Sequence, residues 1–141
     1  MSTYGRSTCR PPSLLTHEPT DIAYRTCRLL GYHSPRLGKP EDDAFDLELK
    51  RRAFWCSWSM CCLSQNNAAF KAESWKEAVG LPLPCDEISF SARQPLLREA
   101  FDPEGHMELL DDGKAEADRT SYMAEMVKLL SLWYHHSFPA N

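Results

Sequence analysis

The densest run of hydrophobic positions lies between Phe45 and Phe70. It opens on charged residues, Asp46, Glu48, Lys50, Arg51 and Arg52, and turns almost wholly apolar from Ala53 to Leu63. On a helical period Phe45, Leu49, Ala53, Cys56, Met60 and Leu63 fall at steps of three and four along one face. Phe54, Trp58 and Cys61 make a second stripe, with Trp55 and Cys62 between. A helix that is apolar all round is buried on several sides. The pattern therefore predicts a central helix over about 42–65 with both stripes in the core. The apolar run is shorter than the roughly 18 residues that a bilayer span requires, so no membrane crossing is expected.

Three further helices are expected around it. Pro19 followed by Thr20 or Asp21 as N-cap starts one over about 20–31, with Ile22, Ala23, Thr26, Cys27, Leu29 and Leu30 as its apolar face and Gly31 as its stop. A loop follows, carrying Pro35, Gly38 and Pro40. A short helix over about 68–79 would turn Phe70, Trp75 and Val79 inward and end at Gly80-Leu81-Pro82-Leu83-Pro84. Residues 85 to about 117 read as an irregular acidic connector, with at most one turn at Leu96-Leu97. The last helix, about 119–136, places Met123, Met126, Val127, Leu130, Trp133 and Tyr134 on one face. Leu129 and Leu132 widen that face beyond what one neighbour covers. No alternating strand pattern longer than a few residues occurs. The expected fold is all-α, three or four helices packed around a buried central one. Residues 1–19, rich in Ser, Thr, Pro and Arg, are expected to be a mobile lead-in, and 20–141 the domain.

Composition narrows the chemistry. A chain of 141 residues with 43% hydrophobic residues and four Trp has the material for one cored domain. The net charge of −4 gives no electrostatic footprint for nucleic acid. Cys9, Cys27, Cys56, Cys61, Cys62 and Cys85 contain no Cys-x-x-Cys pair, so zinc-ligand spacing is missing and reduced, buried thiols are expected. No charged-then-apolar leader is visible. Neither a Gly-x-Ser-x-Gly elbow, a His-Glu-x-x-His pair nor a phosphate-cradling glycine loop occurs, so no catalytic role is expected. Lys50-Arg51-Arg52 fans around a helix and has acids at i−4, Asp46 and Glu48, which predicts a solvated, salt-bridged face. His33 is expected to pack as a loop residue, and Trp55, Trp58, Cys56, Met60 and Met126 to be core.

Four short segments carry a resemblance. Ala23-Tyr24-Arg25 with Leu30-Gly31-Tyr32-His33, then Glu48-Leu49-Lys50-Arg51-Arg52-Ala53-Phe54-Trp55, then Leu81-Pro82-Leu83-Pro84-Cys85-Asp86-Glu87, then the helix from Ser121 to Leu130, stand in this order over about residues 20–135. Together they resemble the middle homology region of fungal zinc-cluster transcription factors, whose segments run A-x-R-x-A-x-x-L-G-L-H, E-L-R-R-R-x-F-W and V-P-L-P-x-D-E. The positions that match are Arg25, Leu30, Gly31, His33, Arg51, Arg52, Phe54, Trp55, Pro82 and Pro84. The resemblance implies an all-helical regulatory region, truncated, acting in the nucleus in transcription regulation. It implies partners among other transcription proteins or through self-association, and a small-molecule effector. The family's zinc and sequence-specific DNA binding belong to a six-cysteine head whose spacing these cysteines do not have, so neither a zinc cofactor nor sequence-specific DNA binding is expected of this chain. The alternative expectation is a stand-alone helical adaptor or small-molecule-binding protein.

Overall fold

The computed structural model describes residues 19–34, 43–64, 74–95, 99–102 and 121–137, the last four by backbone alone. The lead-in up to residue 18, most of the proline-containing loop, Phe70, the Leu96-Leu97 turn and the acidic stretch 103–120 lie outside the described residues. Among the described residues there are five helical segments: α1 (Pro19–Leu29), α2 (Ala44–Leu63), α3 (residues 74–78), α4 (Glu87–Ser91) and α5 (Tyr122–Ser137). Among the described residues there is no sheet, and one isolated antiparallel bridge joins Pro82 to Ala100. The class is all-α, with more helical segments than the three or four expected.

Gly31 ends α1 as anticipated. It adopts φ 75°, while Tyr32 N–H donates to the Cys27 carbonyl and Gly31 N–H to that of Arg28, both at 2.9 Å. These paired bonds close two of the carbonyls a helix end leaves open. Tyr32 then packs on the core. A Cβ built on Gly31 meets nothing within 4 Å, so the cost of Gly31→Ala is conformational alone. Thermal or urea melts should show a loss of about 1 kcal/mol; an unchanged midpoint would mean that the turn relaxes without the left-handed residue.

The core is one cluster. α1 contributes Tyr24 and Cys27, α2 contributes Phe54, Trp55, Trp58, Cys61 and Cys62, α3 contributes Trp75 and Ala78, and α5 contributes Ala124, Val127 and Leu130. Leu81, Leu83 and Phe101 fill it from the extended stretches. Trp55 and Trp58 meet edge to face at 5.4 Å, and Trp58 lies 4.6 Å from Trp75.

α2 does not bury the stripe that its spacing puts first. Leu49, Met60 and Leu63 are 44%, 49% and 52% exposed, and Ala53 and Cys56 are exposed with them. The buried arc runs instead through Glu48, Trp55, Trp58, Ser59 and Cys62, flanked by Phe54, Ser57 and Cys61 against α1. The reason is size. Three aromatic rings bury more apolar surface than the smaller first stripe could, and Glu48 is carried inward with them. Three more inward assignments are corrected, since Val79, Met126 and Trp133 lie exposed; α5 buries Val127 and Leu130 as expected, together with Ala124. The expected pockets of core at Cys56, Met60 and Met126 are thus outer surface.

The connector expected to be irregular has structure at both described ends. Asp86 caps α4, its Oδ1 accepting from the N–H groups of Ile88 and Ser89 at 3.1 and 2.9 Å and its Oδ2 from the Ser89 hydroxyl. Farther on, Leu83 N–H donates to the Glu99 carbonyl and Phe101 N–H to that of Leu81, each at 2.8 Å. This pairing seats Phe101 in the core.

Candidate functional site

The most elaborate polar arrangement is centred on Glu48. Its side chain is wholly buried. Oε1 accepts from Arg52 Nε at 3.1 Å and from the Cys85 backbone N–H at 2.9 Å. Oε2 accepts from the Arg51 guanidinium. Arg52 also donates to the Cys85 carbonyl at 2.7 Å and lies 3.6 Å from the Glu87 carboxylate. One turn further along α2, Trp55 Nε1 donates to the Pro82 carbonyl at 2.9 Å. A helix turn supplies this geometry: residues 48, 51, 52 and 55 share one face. The cluster thus grips the 82–87 segment along its backbone, whose donors and acceptors have no helix to pair with.

A stack of rings and cations extends the grip to α4. Arg52 sits 4.0 Å from the Phe90 ring, Phe90 stacks on Phe45 at 5.0 Å, and Arg93 lies 4.4 Å over Phe45. Arg93 reaches this place from a left-handed backbone, φ 58°, at the position after α4 where glycine is the usual residue.

Two members of the basic triplet, Arg51 and Arg52, are ion-paired as expected, Arg52 with Glu48 at i,i+4, but they do not form a solvated face. Arg51 and Arg52 are the buried carboxylate's partners, and the expectation that Glu48–Arg52 is a surface pair is corrected. A charge taken out of water needs close opposite charge and hydrogen bonds, and Glu48 has both.

The other resemblance positions divide into core, cap and surface. Phe54 and Trp55 are core and Pro84 is buried. Gly31 ends α1. Half-buried His33 stands 6.5 Å from the Phe54 ring, the loop packing expected of it. Arg25 pairs with Asp21 at 3.0 Å on the exposed side of α1, and Leu30 is exposed. Two further clusters hold the helices. Glu77 on α3 accepts from Arg28 at 2.7 Å and, at 3.5 Å, from Tyr24; burial, then Glu77, push the Tyr24 phenol well above its usual range. Lys128 on α5 pairs with Glu99 and Glu125. Burial by itself lowers its ammonium, but hydrogen bonds to the two carboxylates overcome that and raise it.

Of the described cysteines Cys27, Cys61, Cys62 and Cys85 are buried and Cys56 is exposed, each a thiol outside any disulfide. Burial and the Glu48 carboxylate push the Cys85 thiol up to about 11, so it stays protonated and a poor nucleophile. No three His, Cys, Asp or Glu side chains stand where they could hold a metal ion among the described residues. No described helix is long and apolar enough to cross a membrane.

Sequence reasoning placed Glu48 and Asp86 in the segments that carry the resemblance but missed the burial of Glu48, the cap made by Asp86, and Phe101 altogether. Asp86, three residues before Ser89, carried a legible cap signal; Glu48 carried none, since an acid four residues before Arg looks the same exposed or buried. Compared with protein families, curated proteins and solved structures, the chain matches none.

Proposed function

We propose that this chain is a regulatory, protein-interaction region of fungal transcription-factor type, acting in the nucleus through contacts with other proteins or with a second copy. The observation that carries the reading is the meeting of two segments that the resemblance selects separately. The stretch Glu48–Trp55 and the stretch Pro82–Glu87, about thirty residues apart, are bound to each other by Glu48, Arg52 and Trp55. Motif residues at 51, 52, 54, 55, 82 and 84 thereby belong to one structural unit. Apolar side chains left on the outer faces of α2 and α5, such as Met60, Leu63, Leu129 and Leu132, suit a module that works by protein contact. A small-molecule effector remains part of the proposal without a site to assign it.

The test joins the chain to an unrelated DNA-binding module that drives a reporter, beside a mobility shift of the untethered chain against randomised duplex at low salt. The expected result is a change in reporter output and no enriched DNA motif, since acids outnumber bases 20 to 16 and phosphate neutralisation needs clustered cations. A silent fusion would favour the stand-alone adaptor, and an enriched motif bound with sub-micromolar affinity would overturn the reading.

A further inference from the structure

We propose that α4 occupies, in cis, a docking groove on the N-terminal half of α2, and that a partner helix carrying a carboxylate three residues before an aromatic ring displaces it. This rests on the reading above that the chain works by protein contact, and it states the chemistry of the partner. The groove is built from Phe45 and Arg52, seven residues and two helical turns apart on one side of α2. Arg52 is fixed without α4: its Nε is held by the buried Glu48 and its Nη2 by the Cys85 carbonyl. That leaves Nη1 and the flat face of the guanidinium, and α4 fills both. Glu87 stands 3.6 Å from Nη1, and the Phe90 ring lies 4.0 Å from the guanidinium carbon. Residues three apart share a helix face, so a single turn presents the carboxylate and the ring together. Phe45 receives the same ring by stacking at 5.0 Å.

α4 is an occupant that can leave. Its backbone pairs within itself: the N–H groups of Phe90, Ala92, Arg93 and Gln94 donate to the carbonyls of Asp86, Ile88, Phe90 and Ser89, and the Asp86 side chain caps its start. Side chains therefore carry its attachment to α2. Of its five residues Ser89 alone is buried, and Ile88 is 61% exposed. A helix this short does not hold by itself in water, so α4 depends on the groove. Arg93 closes the stack over Phe45 from a left-handed backbone, a conformation that a non-glycine residue adopts at a cost. Undocking relieves that cost. Arg52, by contrast, stays in place when α4 goes, because Glu48 and the Cys85 carbonyl keep hold of it. The groove is thus preorganised and its present ligand is weakly held, the condition under which a competing helix succeeds.

Hydrogen exchange in the full chain reads the undocking. Protection at the Phe90, Ala92 and Gln94 amides should be at least about tenfold lower than at Cys85 and the middle of α2, through an opening that leaves the core closed. Protection equal to that of α2 overturns the proposal, since α4 would then leave only with the whole fold. The probe for the groove is a labelled peptide of the chain's own residues 86–95, followed by fluorescence anisotropy. Apparent affinity scales with the fraction of chains whose groove is open, so the Phe90→Ala chain should bind this peptide at least about tenfold more tightly than wild type. A peptide carrying Phe90→Ala should bind neither. Glu87→Gln is the second chain variant should Phe90→Ala fail to fold. Equal affinity of wild type and variant, or no binding to either, overturns the groove. The reporter fusion separates this result from the functional reading: an active wild-type fusion without peptide binding removes the groove and leaves the regulatory role standing, and peptide binding beside a silent fusion does the reverse.

Discussion

Trp55→Ala and Trp58→Ala each remove about 3–5 kcal/mol of stability, the cost of emptying a buried indole site that neighbours fill only in part. A domain of this size holds about 5–15 kcal/mol in all, so either variant sits near the edge of folding. Both rings are fully buried and meet each other and Phe101. Their polar ends differ, and that difference gives the sharper expectation. Trp55 Nε1 donates to the Pro82 carbonyl, whereas Trp58 Nε1 is buried with no hydrogen-bond partner among the described residues. Trp55→Phe therefore strands a carbonyl, at about 1–3 kcal/mol beyond the lost ring volume. Trp58→Phe removes a donor that meets no acceptor among the described residues, so the volume term dominates. Urea melts of the two phenylalanine variants should rank Trp58→Phe as the milder by about 1 kcal/mol. The reverse order would show that the 82–87 segment does not depend on Trp55, and alanine variants within about 0.5 kcal/mol of wild type would remove α2 from the centre of the core.

The two stripes of α2 show what periodicity can and cannot say. The helix itself was legible, as were α1 with its Gly31 stop and α5. Which of two apolar faces turns inward was not, because both satisfy the same period. The decision came from elsewhere in the chain: α1 offered Tyr24 and Cys27, α3 offered Trp75, and the 99–101 stretch offered Phe101, all of them partners for rings. That left the leucines and Met60 of the tidier stripe outside. α4 and Phe101 were lost for a related reason. A five-residue helix has no period to read, and a single Phe beyond a proline-rich stretch gives no sign that backbone pairing with Leu81 will draw it in. The resemblance located residues 51–55 and 82–87 as segments of interest, yet their shared purpose, the grip of one on the other, depends on the carboxylate of Glu48.

Glu48→Ala should be as damaging as the loss of a core tryptophan. Removing one member of a buried ion cluster leaves uncompensated charge, and such changes cost about 3–5 kcal/mol. Here two guanidinium groups lose their common partner, Arg51 and Arg52, and the Cys85 N–H loses its acceptor. Glu48→Gln should fall between wild type and alanine, because an amide oxygen still serves the Cys85 N–H while the charge is gone. Replacing Glu48, Arg51 and Arg52 together by Met should recover much of the loss, since an apolar set of similar volume carries no desolvation cost. The cluster's place between α2 and the 82–87 segment adds a local signature. Hydrogen exchange at the Cys85 amide should speed up in Glu48→Ala more than at the middle of α2, as the segment opens without the helix. A Glu48→Ala variant within about 1 kcal/mol of wild type, with Cys85 exchange unchanged, would show that the aromatic stack of Phe45 and Phe90 holds the segment and that the buried carboxylate is incidental to it.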